Sequence, residues 1–193
     1  MRALPFRPAL GAALLLVAAA CAPKTKPPTL NPPVPTVVAG LLQPQAPEAA
    51  VLPIPSTLQS AVAAVLDARG LSPRPLDDTA LRTGLGPART PPLRLDYMVQ
   101  AAAPASMIVI IETEAVFYAQ IEGRNRWVVR VRLTIAPRDA PDQAVVDSFE
   151  VPVFLQFLHE KELRAVEEAT PLITRRLAAA LDGLIAARAA AAR

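Results

Sequence analysis

Three segments in the second half of the chain alternate between apolar and polar positions. In residues 106–121, 127–135 and 145–155 the odd-numbered positions are largely apolar. The even-numbered positions include Glu112 and Arg132. Successive side chains of a strand point to opposite faces of a sheet, so this period of two predicts strands with one buried face. We therefore expect a sheet whose odd-numbered face is covered.

The first two of these strands are expected to form a hairpin. Pairing odd with odd positions across an antiparallel hairpin requires a loop with an odd number of residues. A loop of Gly123, Arg124 and Asn125 meets this requirement, and Asn125 tolerates the left-handed conformation that such loops need. The resulting register would place Trp127 opposite Ile121.

The third strand contains two unusual residues. Pro152 cannot donate a hydrogen bond to a neighbouring strand, which predicts a position at the edge of the sheet. Asp147 falls on the apolar face, where only a bulge or the end of the sheet would accommodate it. The alternation therefore predicts an edge strand with one misplaced charge.

A helix is predicted ahead of the sheet. Ser56 is a good N-cap for a helix over residues 57–69, and Gly70 would follow its last turn. Its apolar positions fall on one stripe, which would pack against the sheet; they are Leu58, Val62, Val65 and Leu66.

Further elements complete the pattern. They are a short strand over 71–76, a brief helix capped by Asp77 or Asp78 and reaching residue 85, and a helix over 93–102. The pattern of apolar positions in the C-terminal region predicts two helical pieces, 159–169 and a continuation over 171–185. Thr170 and Pro171 resemble an N-cap and a first helical residue, so we expect a break or kink between the pieces.

Together these elements predict an α+β fold. The expected architecture has two layers, with an antiparallel sheet of three to five strands and amphipathic helices packed on one of its faces. A long C-terminal helix would cover the odd-numbered face. Residues 56–190 are expected to form this single domain, which is long enough to bury a core of its own.

The region before the domain is dominated by proline. Residues 22–55 contain ten of the 22 prolines in the chain. Proline fixes φ and lacks a backbone donor, so residues 21–55 are predicted to be a disordered, extended tether. The alternative is a disordered leader whose length has no function. Residues 37–42 are apolar enough to dock as an edge strand.

The N-terminus combines a basic start, an apolar run and a cysteine. Arg2 and Arg7 precede the apolar residues 9–20, which lead directly into Cys21. This run is too short to span a bilayer, and residues 1–20 are predicted to be a signal peptide. Ordinary signal cleavage, with Cys21 left as a free thiol, is one alternative, and a buried cysteine in a cytosolic protein is another.

The sequence AAAC at residues 18–21 resembles the lipobox of bacterial lipoproteins, although Ala18 stands where that pattern usually has leucine. The resemblance implies a diacylglyceryl thioether and an N-acyl chain, such as palmitate, on Cys21. Several acyl chains would make membrane attachment effectively permanent. Ala22, rather than aspartate, follows the cysteine, which implies the periplasmic face of the outer membrane of a Gram-negative cell.

Net charge and cysteine content limit the classes of partner and the means of stabilisation. The formal charge of the whole chain is +3, and loss of Arg2 and Arg7 with the signal would lower it to +1. A charge this small argues against nucleic acid as a partner. The single cysteine excludes an internal disulfide bond, so the domain must be stabilised by its core.

The sequence offers little material for catalysis. His159 is the only histidine, which disfavours a histidine metal cluster or a catalytic triad, and Glu160 and Glu162 beside it suggest a solvated helix start. Glu112 and Glu114 could support acid–base chemistry, but ion pairing with a neighbouring strand explains them better. We therefore expect no catalytic residues, no metal site, no cofactor and no enzymatic activity.

The even-numbered strand face has the composition of an interface. Arginine and tyrosine are enriched in protein interfaces. The candidate interface residues are Glu112, Glu114, Tyr118, Arg130 and Arg132. A merely solvated sheet face is the alternative interpretation. Ile108 and Ile110 on the same face suggest that the leader or a partner covers part of it.

The order of elements resembles that of TolB-amino-terminal-like domains of envelope lipoproteins, including CsgG-like and LpoB-type proteins. The resemblance rests on Asp96-Tyr97, the strand pair over 107–135, and the last strand and helix over 145–185. Pro53 and Pro55 disrupt the position of that family's usual first strand.

The resemblances imply a lipid-anchored, non-enzymatic interaction module in a cell-envelope assembly, with a periplasmic or envelope protein as partner. Its role would be that of an activator or scaffold. The alternatives are an enzyme acting on envelope material and a structural homo-oligomer of a secretion or transport complex.

Overall fold

A mixed sheet forms the centre of the molecule. The computed structural model describes residues 27–43, 45, 50–86, 90–156 and 161–191. In these residues the strands are β1 (Val34–Gln43), β2 (Leu52–Pro53), β3 (Leu71–Pro75), β4 (Met107–Ile121), β5 (Arg124–Pro137) and β6 (Val145–Leu155). The helices are α1 (Ser56–Asp67), α2 (Asp78–Gly84), α3 (Pro91–Ala101) and α4 (Lys161–Ala191).

The strand order confirms the α+β class and corrects the details. The order is β2-β1-β4-β5-β6, and β3 also pairs with β1. β4, β5 and β6 are antiparallel, as the alternation predicts, whereas β1 runs parallel to both β3 and β4. The described sheet therefore has six strands of mixed direction instead of three to five antiparallel ones.

β1 lies inside the stretch that was predicted to be a tether. The prediction is wrong for this part of residues 21–55, because β1 is central and aligns with β4 from Thr36 to Gln43. Residues 36–43 contain no proline and are mostly apolar, so they can form a ladder despite the prolines on both sides. The folded domain consequently begins before residue 56.

Helices cover both faces of the sheet, which corrects the predicted two-layer arrangement. α1 and α4 bury the odd-numbered face of β4–β6 in one core. α2 and α3 form a second core on the other face, over β1 and the start of β4. Ile108 and Ile110 belong to this second core, which α2 and α3 share with β1 and Val51 of the predicted leader, so the expectation that the leader helps to bury them is confirmed in part.

Most local predictions in the first half are confirmed. α1, β3, α2 and α3 occur where the sequence predicts them. Asp77 caps α2, and its Oδ1 accepts a hydrogen bond of 2.8 Å from the backbone N–H of Ala80. At α1 the cap position is occupied by Pro55 instead of Ser56, which is the first helical residue.

The β4–β5 hairpin has a different turn from the predicted one. Its turn consists of Glu122 and Gly123, with φ values of 50° and 76°. A two-residue loop of this kind matches the twist of the flanking strands. A register shift between Phe117 and Ala119 leaves Tyr118 as an extra residue, and Trp127 pairs with Phe117 instead of Ile121. The bulge restores the odd-with-odd pairing that the even loop would otherwise break.

α4 is one continuous helix, so the predicted division into two helical pieces at Thr170–Pro171 is wrong, and the alternative of a kink stays a prediction. Pro171 lies inside the helix and cannot donate the bond that its position requires. Residues on both sides of it are buried in the same core, among them Val166, Ala169 and Ile173. Packing on both sides of Pro171 keeps the helix continuous through the proline.

Two predictions about β6 have clear outcomes. β6 is at the edge of the sheet, as Pro152 predicts. Asp147 points to the helical layer, where its carboxylate accepts hydrogen bonds of 2.7 and 2.9 Å from Arg176 of α4. The misplaced charge is therefore paired with a helix, and no bulge is involved.

Candidate interaction surface

A row of three charged residues crosses the exposed strands. Glu114 of β4 pairs with Arg130 of β5, which pairs with Glu150 of β6. The Arg130 guanidinium donates hydrogen bonds of 3.3 Å to each carboxylate. The hydrogen bond and charge of Glu114, with a smaller effect of Glu150, raise the pKa of Arg130 above its ordinary value. No described helix covers this row.

The neighbouring row consists of Glu112 and Arg132, and its Glu112 end is buried. Glu112 pairs with Arg132 across the hairpin, as expected, with 3.6 Å between Arg132 Nε and Glu112 Oε2. Glu112 is buried, however, and its other oxygen accepts a hydrogen bond from buried Arg94 of α3. Glu112 is therefore excluded from the accessible interface that the sequence predicts, whereas Arg132 stays partly exposed.

The Arg94–Glu112 pair attaches α3 to the sheet. Burial of two charges costs several kcal/mol per ion, and only close pairing with additional hydrogen bonds offsets that cost. Arg132 supplies a second positive charge to Glu112, and Arg94 also donates to the Gly86 carbonyl at 3.4 Å. This pair is structural, and it ends the open part of the face.

The far end of the hairpin is aromatic. The Arg126 guanidinium lies 4.9 Å from the centre of the Tyr118 ring, a cation–π distance. Arg126 pairs with Phe154 of the edge strand. Tyr118 and Phe154 are 67% and 52% exposed, so two aromatic rings flank one arginine at the surface. The sequence predicts Tyr118 as an interface residue but not Arg126 or Phe154, whose only signal is their even-numbered position on β5 and β6.

The bulge at Tyr118 adds Ile121 to this end. Paired residues of adjacent strands share a face, and Ile121 pairs with Arg124. Arg124 and Arg126 are two residues apart on β5 and so lie on the same face. Without the extra residue, Ile121 would point to the core side with the other odd positions; instead it is exposed.

We call these residues the open face: Glu114, Tyr118, Ile121, Arg126, Arg130, Arg132, Glu150 and Phe154. Its charged part borders a shallow pocket of about 350 Å³. Opposite charges neutralise each other there, while tyrosine, phenylalanine and arginine concentrate at the hairpin end, which is the composition of a protein interface.

The arrangement of the carboxylates favours ion pairing. Glu112 and Glu114 each contact an arginine, so the two carboxylates do not form an isolated pair of acids facing a cleft. Among the described residues, no group of three or more His, Cys, Asp or Glu side chains is placed to hold a metal ion. Cys21 and His159 lie outside the described residues. Within the same part of the chain, no helix has the length and apolarity to cross a membrane.

Comparison with known proteins yields similar structures. No protein family and no curated protein matches the chain. PelC from Paraburkholderia phytofirmans, a dodecamer, is 18% identical over 81% of this chain and 93% of its own, with a TM-score of 0.43. The lipoprotein GNA1162 from Neisseria meningitidis is 12% identical over 76% of this chain and 99% of its own, with a TM-score of 0.43. A DUF330 protein from Xanthomonas campestris is 10% identical over 86% and 93%, with a TM-score of 0.44.

Proposed function

We propose that this protein is a lipid-anchored, non-enzymatic interaction module of a bacterial cell envelope, and that its open face docks a partner protein. The observation that carries the proposal is the exposed row of Tyr118, Arg126 and Phe154 beside the charge-paired row of Arg130. The other face of the same strands is covered by α1 and α4.

The predicted lipid on Cys21 supports a location at the envelope membrane. Cys21 follows an apolar run that resembles a lipoprotein signal, and acyl chains on its sulfur and amino group would hold the protein at the membrane. Ala22 in the next position favours the periplasmic face of the outer membrane in a Gram-negative cell. The partner would then be a periplasmic or envelope protein, which the domain scaffolds or activates.

The chemistry of the open face suits a protein partner. Phe154 and Tyr118 supply rigid apolar area, and Arg126 supplies hydrogen-bond donors beside them. The paired charges of Arg130 would fix the orientation of a partner more than they increase its affinity. Docking would remove the exposed aromatic area from water, which is the main source of binding free energy.

Affinity copurification from detergent-solubilised envelopes tests the proposal. Phe154→Glu and Arg130→Glu alter the open face, whereas Leu163→Glu and Arg175→Glu place the same charge on exposed positions of α4. We expect each open-face variant to recover at least about tenfold less partner, because buried interface aromatics and arginines dominate binding. Equal recovery by all four variants would refute docking at this face.

The anchor is tested separately with Cys21→Ser. Loss of the lipid is expected to release the protein from membranes while leaving the domain folded. Partners recovered with both forms depend on the domain, and partners lost with the lipid depend on location. A Cys21→Ser form that stays in the membrane fraction would contradict lipid anchoring.

A further inference from the structure

A second concave site lies at the opposite edge of the sheet from β6. β2 and β3 both pair with the side of β1 that faces away from β4. β3 aligns with Val34–Val38 and β2 with Leu41–Leu42, so neither strand pairs with β1 at Ala39 and Gly40, where the Ile54 backbone N–H donates a hydrogen bond of 3.2 Å to the Gly40 carbonyl. A cavity of about 550 Å³, which we call the edge pocket, lies between β2 and β3 at this interruption.

The walls of the edge pocket are mainly apolar. They come from β1, β3, α1, α2 and the residues just before α1, and include Val38, Ile54, Val62, Pro75, Leu76 and Leu81. Small-molecule sites typically have volumes of about 300–1,000 Å³, with apolar walls and a few polar groups. The edge pocket has both properties.

The charges that line the edge pocket are all negative. Asp77 and Asp78, at the start of α2, are the ionisable residues among its lining side chains. One oxygen of Asp77 caps α2 through Ala80, and Asp78 is exposed beside it. Arg74 lies between two lining prolines of β3 but does not line the cavity itself. An apolar cavity with carboxylates at its mouth is complementary to a ligand with an apolar body and a cationic end.

We propose that the edge pocket binds a small amphiphile of this class: a hydrocarbon body in the cavity and a protonated amine beside Asp77 and Asp78. The site is on a different edge of the sheet from the open face and shares no residue with it. The proposal therefore goes beyond the proposed function and does not depend on it.

Three probes with one hydrocarbon chain and different head groups test the charge preference. Calorimetric titrations of hexylammonium, hexanol and hexanoate are made into the full chain with Cys21→Ser, which removes the lipid attachment. We expect hexylammonium to bind about tenfold more tightly than hexanoate, with hexanol between them, because opposite charges near a protein surface attract at short range. Hexanoate binding as tightly as hexylammonium would overturn the proposal.

Variants locate the binding. Ala63→Phe places a ring in the cavity, whereas Ala64→Phe adds the same ring at the next, exposed position of α1 outside the lining. Hexylammonium affinity should fall at least about tenfold in the first variant and stay unchanged in the second. Asp77→Asn with Asp78→Asn should abolish the preference for the amine, and asparagine preserves the cap of α2. Binding that survives Ala63→Phe, or a preference that survives the double variant, would place the ligand elsewhere. Phe154→Glu should leave these titrations unchanged.

Discussion

The buried Arg94–Glu112 pair gives the sharpest test of how α3 is attached to the sheet. Arg94→Met keeps an apolar stem of similar length and removes the guanidinium that contacts Glu112. The carboxylate of Glu112 then stays buried with only Arg132, whose Nε lies 3.6 Å away and whose side chain is partly exposed. Loss of one partner from a buried pair leaves an uncompensated charge.

The expected loss follows from this geometry. Breaking a buried ion pair typically costs about 3–5 kcal/mol, and the remaining Arg132 places this case at about 3 kcal/mol. For a domain of this size such a loss lowers the midpoint of thermal unfolding by about 6–12 °C. The double variant Arg94→Met with Glu112→Leu removes both charges and should be within about 1 kcal/mol of the parent protein, because well-packed apolar residues often replace a buried pair without loss.

Urea unfolding of the parent, both single variants and the double variant measures the coupling directly. Arg130→Met is the matched control, since it removes a guanidinium from an exposed pair and should leave the urea midpoint unchanged. An Arg94→Met loss below about 1 kcal/mol, or a double variant that is less stable than either single one, would refute the assignment of a buried, mutually dependent pair.

Three further predictions concern local structure. Glu122 has a left-handed backbone ahead of Gly123, so Glu122→Asn should raise the free energy of unfolding by about 0.5 kcal/mol in thermal denaturation, and a decrease would contradict the two-residue turn. A Cβ at Gly40 would overlap the Ile54 side chain, so Gly40→Ala should cost about 1–3 kcal/mol. Its combination with Ile54→Ala should cost less than the sum of the two single losses; additive losses would show that the two residues do not touch. Asp147 raises the pKa of Arg176 above its ordinary value. The stabilisation that this shift contributes is therefore present in full between about pH 7 and about pH 10 and is lost only as the pH rises through the higher folded-state pKa. The effect of Asp147→Asn on the melting temperature should therefore be equal at about pH 7 and about pH 10, and a difference would mean that another group titrates with the pair.

The sequence predicts those elements whose signal is local. The period of two in β4–β6 reveals the strands and their buried face, and Asp77 marks the start of α2 through its own side chain. These features depend on residues within one element, so one sequence is sufficient to find them.

Non-local pairing explains what the sequence does not reveal. The apolar residues 37–42 indicate a strand at β1 but not its central position, because prolines dominate its surroundings and its partner β4 lies far along the chain. In α3, Leu93 is exposed while its neighbour Arg94 is buried, the reverse of their hydropathy. Only the position of Glu112 on β4 accounts for that reversal.

The open face is predicted from the sequence only in part. The even-numbered positions predict Glu114 and Arg130 on one face, and the structure pairs them. The bulge at Tyr118 adds a single residue that alternation cannot show in advance, and it turns Ile121 onto that face. Tyr118 is therefore predictable from the sequence, whereas its neighbours Ile121, Arg126 and Phe154 are found only once the register is known.

Photocrosslinking in intact cells tests most directly whether a partner protein docks at the open face. A photoreactive phenylalanine analogue replaces Phe154 on the open face or, as the matched control, Leu163 on α4; both parent residues are large, apolar and exposed. We expect a discrete crosslinked protein partner from position 154 and none from position 163. A partner captured from position 163 and not from position 154 would contradict docking at the open face.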